Sequence, residues 1–167
     1  GGAGTQADLR VFTALGLAGA SVITEAIAQN TSGVLAIHNL PPRFVARQID
    51  AVVKDMRVSA TKIGALGTPQ IVSTVSDRVV RRSLPNVVLD PVLAAKDGTP
   101  LLAAKGVARL KMDLLPRVLV VTPNVPEAEL LTGLCVTDLD GAADAARALV
   151  ALGAKAAIVK GGHLGEE

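Results

Sequence analysis

The sequence predicts an α/β fold: a mostly parallel central sheet with helices on both faces, a three-layer αβα arrangement. Three observations predict it. Short apolar runs, among them Val87–Leu89, Val118–Val121 and Ala156–Val159, alternate with longer segments of helical period, which is the pattern of right-handed βαβ units. Half of the 167 residues are hydrophobic although only 1% are aromatic, and Val-, Leu- and Ile-rich strands buried on both faces account for that balance. Each of the three runs also delivers polar residues at its carboxyl end: Asp90 after the first, Asn124 and Glu127 after the second, Lys160 after the third. Ligands of open α/β sheets bind along that edge.

The elements follow in order. Leu9, Phe12 and Leu15 give Thr5–Leu15 an apolar helical face that Gly16 terminates. Gly19–Ala28 reads as a strand ending in Gln29-Asn30-Thr31, and Val34–Ile37 as a second short run. Pro41-Pro42 open a helix whose Phe44, Val45, Ile49, Val52, Val53 and Met56 share one side. Ser59–Gly64 is the next strand. Thr68-Pro69 cap a helix with a stripe of Ile71, Val75 and Val79. After the strand closing on Asp90-Pro91, a helix is expected over Leu101–Leu114, interrupted or begun late by Gly106. Asn124 at N-cap, Pro126 in the first turn and Glu127 at N3 form a capping-box signature. An Ala-rich helix over Thr137–Leu152 follows, with Asp138 and Asp140 in its first turn to suit the helix dipole, and the last strand brings in Lys160-Gly161-Gly162-His163. No fixed period and no low-complexity linker divides the chain, so residues 1–167 are expected to form one domain.

Composition excludes several classes. The longest charge-free runs, Val11–Thr24 and Ala26–Pro42, fall short of the roughly 20 apolar residues of a membrane span. The net charge is +2, with 17 basic and 15 acidic residues interspersed and no aromatic platform, which argues against nucleic acid. A single cysteine, Cys135, fits a reducing cytosol and is expected to pack as a small side chain. His38 and His163 lack zinc-ligand spacing, and neither a Walker A loop nor a Gly-x-Ser-x-Gly elbow occurs. Gly2-Ala3-Gly4-Thr5-Gln6-Ala7 does fit the dinucleotide pattern, with Glu25 near the acidic position, yet no strand precedes it and Glu25 does not end one. Two carboxylates beside a lysine on one sheet edge suit phosphoryl transfer instead: carboxylates hold Mg²⁺ and a lysine neutralises phosphate charge. For Asn124 and Glu127, helix capping and phosphate chemistry remain equally open on these residues alone.

Six motifs decide between them: GGAGTQADL (1–9), SVITEAIAQNT (21–31), TKIGAL (61–66), VVLDPVLAAKDG (87–98), TPNVPEAELL (122–131) and VKGGHL (159–164). With these the chain resembles the hydroxymethylpyrimidine/phosphomethylpyrimidine kinases of thiamine biosynthesis, members of the ribokinase-like superfamily, over essentially its whole length. The resemblance implies ATP-dependent phosphorylation of 4-amino-5-hydroxymethyl-2-methylpyrimidine and then of its monophosphate, with ATP and Mg²⁺ as cofactors. It implies that Gln29 binds the aminopyrimidine, where an amide both donates and accepts. Asp8 would reach the hydroxymethyl end, and Ala3, Gly4, Ile27, Ala65 and Val92 would complete the substrate side. Ala65 stands where the family carries methionine in TKIGML, which loosens the pocket. Asp90, Asn124 and Glu127 would be catalytic, with Glu127 and Asp90 toward Mg²⁺ and Lys160 and Asn124 toward the nucleotide. The enzyme is expected in the cytoplasm, and a homodimer is compatible with the resemblance.

Two departures stand out. The family's first strand and Gly-Ser-Asp loop do not precede Gly1, and its GTGC or GTGD segment does not appear before Glu167; Cys135 lacks that motif's neighbours. The chain is therefore expected to be a fragment, incomplete at both ends and inactive by itself. A pyridoxal kinase of the same superfamily, a non-catalytic nucleotide-binding module and a dinucleotide oxidoreductase domain are the competing readings.

Overall fold

The computed structural model describes residues 3–161. Helix α1 (Thr5–Ala14) leads to a hairpin of β1 (Glu25–Asn30) and β2 (Gly33–Asn39), then α2 (Pro42–Asp55), β3 (Thr61–Ile63), α3 (Pro69–Arg81) and β4 (Val87–Leu89). Next come α4 (Ala104–Arg109), β5 (Val120–Val121), α5 (Val125–Thr132), α6 (Leu139–Ala151) and β6 (Ala156–Ala157). Strands β3-β4-β5-β6 form a parallel sheet in sequence order, and β1–β2 form a separate antiparallel sheet. Gly1, Gly2 and Gly162–Leu164, which belong to the first and last motifs, lie outside the described residues.

The predicted α/β architecture is present. In register, Ile63, Leu89 and Val121 form one fully buried row, while Lys62, Val88, Val120 and Ala156 form the neighbouring, half-open row on the opposite face. The buried row packs with Ile71, Val75, Leu110, Leu114, Leu131 and Leu149 into one apolar cluster. Lys62 instead meets α1 through Asp8, so helices address both sides of β3.

Several elements depart from the sequence-based expectation, each for a visible reason. The strand anticipated from Gly19 begins only at Glu25. At Ile23 the backbone N–H and carbonyl are both taken by the Gln48 amide of α2, at 3.0 and 2.9 Å, so a side chain stands where a ladder partner would. The short run after it pairs back as a hairpin because Asn30 Oδ1 accepts from the N–H groups of Ser32 and Gly33, an Asx turn. Asp97, beyond β4, accepts from Val34 N at 2.9 Å and tethers this hairpin. The helix expected from Leu101 begins late, at Ala104, rather than being interrupted at Gly106, which sits in the first turn of α4 where a Cβ would collide with the Leu102 side chain. The irregularity falls later, as a π turn over Leu110–Leu114 that frees the Asp113 carbonyl for Ser76 Oγ at 2.6 Å and Arg117 Nε at 2.5 Å. Strands β3, β5 and β6 are shorter than the segments expected to form them. No helix among the described residues is long and apolar enough to cross a membrane. Cys135 is exposed rather than packed.

Candidate active site

At the carboxyl edge of the four-stranded sheet the chain leaves β4 at Asp90, β5 toward Asn124 and β6 toward Lys160. The backbone fixes their spacing: Asp90 N donates to the carbonyl of Ile63 at 2.8 Å, and Lys160 N to the carbonyl of Pro123 at 2.8 Å, with Asn124 and Lys160 paired in a parallel bridge. The side chains then form an alternating ionic row. Lys160 Nζ donates to Asp90 Oδ1 at 2.8 Å, Lys62 Nζ stands 3.7 Å from Asp90 Oδ2, and the same Nζ donates to Asp8 Oδ1 at 2.7 Å. These side chains are 24–48% exposed, so solvent screens the pairs. They fix geometry more than they stabilise the fold.

Glu127 sits beside this row in a different environment. It is buried to 7% exposure, and burial pushes its carboxyl above the ordinary range. The Asp90 charge adds to that rise, whereas N–H groups of Asn124 and Leu93 and the Lys160 charge oppose it. The capping box is fully formed: Glu127 N donates to Asn124 Oδ1 at 2.9 Å and Asn124 N to Glu127 Oε2 at 2.8 Å. Capping therefore occupies Oδ1 of Asn124 and Oε2 of Glu127, and leaves Asn124 Nδ2 and Glu127 Oε1 outside the box. Asp90 and Glu127 suit Mg²⁺, which is held by one or two carboxylates together with phosphate oxygens and water. No group of three or more His, Cys, Asp or Glu side chains that could hold a metal occurs among the described residues, so phosphate oxygens and water would complete that shell.

The substrate-side candidates lie on three other segments. Ala3 and Gly4 are exposed in the loop before α1, where Gly4 adopts φ 79° and its carbonyl accepts from Ala7 and Asp8 N–H. Ile27 is half-buried on β1 and pairs with Ile37, while Gln29 is exposed and follows a bulge after Ala28. Ala65 is half-buried, and its carbonyl accepts from Thr24 Oγ1 at 2.7 Å, which ties the β3 exit to the residue before β1. Val92 is half-buried just after Asp90. Of all these, only Asp8 is joined to the phosphate-side residues by a direct ionic contact, through Lys62.

Lys62 was the residue that sequence reasoning left without a role. Its signal was available: in a three-residue strand whose Ile63 faces the core, alternation sends the neighbouring lysine to the opposite face. Glu25, the acidic position of the dinucleotide alternative, opens β1 rather than closing a strand. Both of its carboxylate oxygens are buried without a hydrogen-bond partner. That placement does not match a ribose-binding carboxylate.

An open α/β sheet whose carboxyl edge carries opposed lysines and carboxylates suits a protein that handles phosphate groups. The sequence model of the phosphomethylpyrimidine kinase family matches residues 1–167, and the chain belongs to that family. The hydroxymethylpyrimidine/phosphomethylpyrimidine kinase of Escherichia coli (strain K12) is 48% identical over 168 residues, which take in 100% of this chain and 63% of that protein. The crystal structure of phosphomethylpyrimidine kinase from Clostridium difficile 630 superimposes with a TM-score of 0.91 at 38% identity, covering 99% of this chain and 72% of that one. An ADP complex of Bacillus subtilis pyridoxal kinase gives a TM-score of 0.86 at 30% identity, covering 99% and 62%. The chain thus spans less than two thirds of the length of its curated relatives.

Proposed function

We propose that the protein transfers the γ-phosphoryl group of ATP to 4-amino-5-hydroxymethyl-2-methylpyrimidine and then to its monophosphate, in the cytoplasm and in the service of thiamine biosynthesis. The observation that carries this reading is the ionic row Asp8–Lys62–Asp90–Lys160 beside buried Glu127, in a chain whose relatives carry that activity in their names. Lys160 is the cation for nucleotide phosphates. Asp90 and the outer oxygen of Glu127 would hold Mg²⁺, which supplies charge neutralisation between the phosphates when bound. Asp8 addresses the hydroxymethyl end. Gln29, with Ala3, Gly4, Ile27, Ala65 and Val92, faces the ring.

In the first transfer the bond from the γ-phosphorus to its bridging oxygen breaks as the bond to the hydroxymethyl oxygen forms, ADP leaves with the electron pair, and the alcohol's proton passes to solvent. The protein's share is alignment and charge, since phosphoryl transfer asks for little covalent chemistry from side chains. Asn124 contributes indirectly: by capping α5 it holds Glu127 at the end of β5.

Pyridoxal phosphorylation is the second reading, favoured by the likeness to Bacillus subtilis pyridoxal kinase. Purified native full-length protein with Mg-ATP, offered each acceptor separately, decides between them. Phosphorylation of the hydroxymethylpyrimidine in clear preference to pyridoxal is expected; turnover of pyridoxal alone sinks the first reading.

A further inference from the structure

Both lysines of the ionic row contact Asp90, whereas Asp8 is contacted by Lys62. Lys160 already pairs with Asp90 at 2.8 Å, so Asp90 stays neutralised without help from Lys62, whose Nζ is the more distant partner at 3.7 Å. Lys62 is the sole cation within ion-pair distance of Asp8 among the described residues. Its side chain is 30% exposed, which makes it reachable from the rim. It leaves β3 on the half-open face of the sheet, opposite buried Ile63. A lysine ammonium is a compact charge with three donors on a flexible stem, able to turn from one anion to another without backbone movement.

The two acceptors named in the proposed function pose different problems. The first is a neutral alcohol, which has to lose a proton. The second is a phosphate monoester, predominantly a dianion at pH 7 because its second pKa is near 6. That dianion needs no deprotonation: its oxygen attacks the γ-phosphorus, the bond to the bridging oxygen breaks, and ADP leaves with the electron pair. What it needs is a cation, because it arrives at the end of the substrate that Asp8 addresses, and two anions there repel.

We infer that Lys62 is the residue that selects the phosphorylated acceptor, turning from Asp8 and Asp90 to pair with the phosphate of the pyrimidine monophosphate. This rests on the reading of the site as a pyrimidine kinase and assigns to the central lysine of the row the second of its two substrates. Before the first transfer Lys62 holds Asp8; after it, the new phosphate competes with two singly charged carboxylates and outbids them by charge. The same motion leaves Asp90 in the hands of Lys160, so the phosphate side of the row survives the change.

The test is a selectivity measurement on native full-length protein. Affinities for the hydroxymethylpyrimidine and for its monophosphate are measured by calorimetry without nucleotide, and kcat/KM for each with Mg-ATP. Lys62→Met, which keeps the stem and removes the charge, is expected to weaken the monophosphate about 10- to 100-fold relative to the alcohol, the usual worth of a charge-assisted hydrogen bond. Lys62→Arg is expected to restore most of that ratio. Taking the ratio on one preparation cancels differences in the folded fraction. Equal losses for both ligands, or none for the monophosphate, overturn the inference and leave Lys62 as a brace for Asp8 and Asp90. A wild-type protein that binds and phosphorylates neither pyrimidine defeats the underlying functional reading, and the inference with it. That result is distinguishable because it shows before any variant is made.

Discussion

On the phosphate side, Glu127 is 7% exposed and Asp90, Asn124 and Lys160 emerge from adjacent parallel strands whose backbones bond one another. On the proposed ring side, Gln29 stands exposed on a ribbon that is two-stranded among the described residues. The ribbon is held at its ends: Asp97 grips Val34 N, and Thr24 Oγ1 reaches the carbonyl of Ala65 at 2.7 Å. The difference teaches where each kind of work is done. In the proposed function charge must be aimed where it develops, and the residues assigned to it stand at the ends of adjacent parallel strands. The residues proposed for the ring stand instead on a ribbon anchored at two points. Substitutions on the rim should therefore show in turnover, and substitutions on the ribbon in substrate affinity or in local stability.

The largest effect is expected from Glu127→Gln. Glutamine still serves at N3 of a capping box, so the helix end is preserved while the carboxylate is lost. Turnover should fall about 100-fold, of the order seen when one electrostatic contact to the transition state is removed, with an altered Mg²⁺ dependence and an undiminished Tm. A variant that keeps its turnover and loses thermal stability would reduce Glu127 to a cap. Next in size is Gly67→Ala. Gly67 adopts φ +64°, and a Cβ there would meet Asn39 Oδ1 and lie 2.6 Å from Glu25 Oε2. The left-handed backbone alone costs about 1–2 kcal/mol for a non-glycine residue, so Tm should drop by several degrees in a melt while the rim chemistry persists. A smaller change is expected for Gln29→Ala: about a tenfold rise in KM for the pyrimidine, no change in KM for ATP and no change in Tm, since the side chain is exposed. Loss of ATP affinity in that variant would break the division between ribbon and rim.

How much of this was legible beforehand depends on the type of signal. Asp90, Asn124, Glu127 and Lys160 follow short apolar runs, and a strand followed by a polar exit is readable without knowing what packs around it. The Asn124–Glu127 capping box was legible residue by residue and is fully formed. Period alone gave no warning that Gln48, 25 positions away, would take both backbone groups of Ile23, and this is why the strand from Gly19 was read too long. The hairpin was hidden for a related reason: its turn is built on Asn30 Oδ1 rather than on an Asn-Gly pair. Lys62 shows the limit most clearly. Its face was deducible from strand alternation, but its partners, Asp8 and Asp90, are 54 and 28 positions distant in opposite directions, and only the fold brings them together.

The smallest predicted effect concerns Glu25, where ribbon and sheet meet. Neither carboxylate oxygen has a hydrogen-bond partner, and burial raises its pKa above the usual 4.5. The native state therefore holds the Glu25 proton more tightly than the unfolded chain does. The stabilisation this gives is complete below pH 4.5 and is lost as pH climbs through the raised native value, so at pH 7 the ionised group is a burden. Glu25→Gln removes that charge and should raise Tm at pH 7 by about 3 °C. The gain should shrink on acidification as the wild-type carboxyl takes up its proton. Melts of both proteins across pH 4.5 to 7.5 measure the crossing. A glutamine variant less stable than wild type at pH 7 would mean that Glu25 is charged and paired in solution. In that case the junction between ribbon and sheet is held by an ionic contact like those on the rim, and the contrast between the two regions fails at the point where they touch.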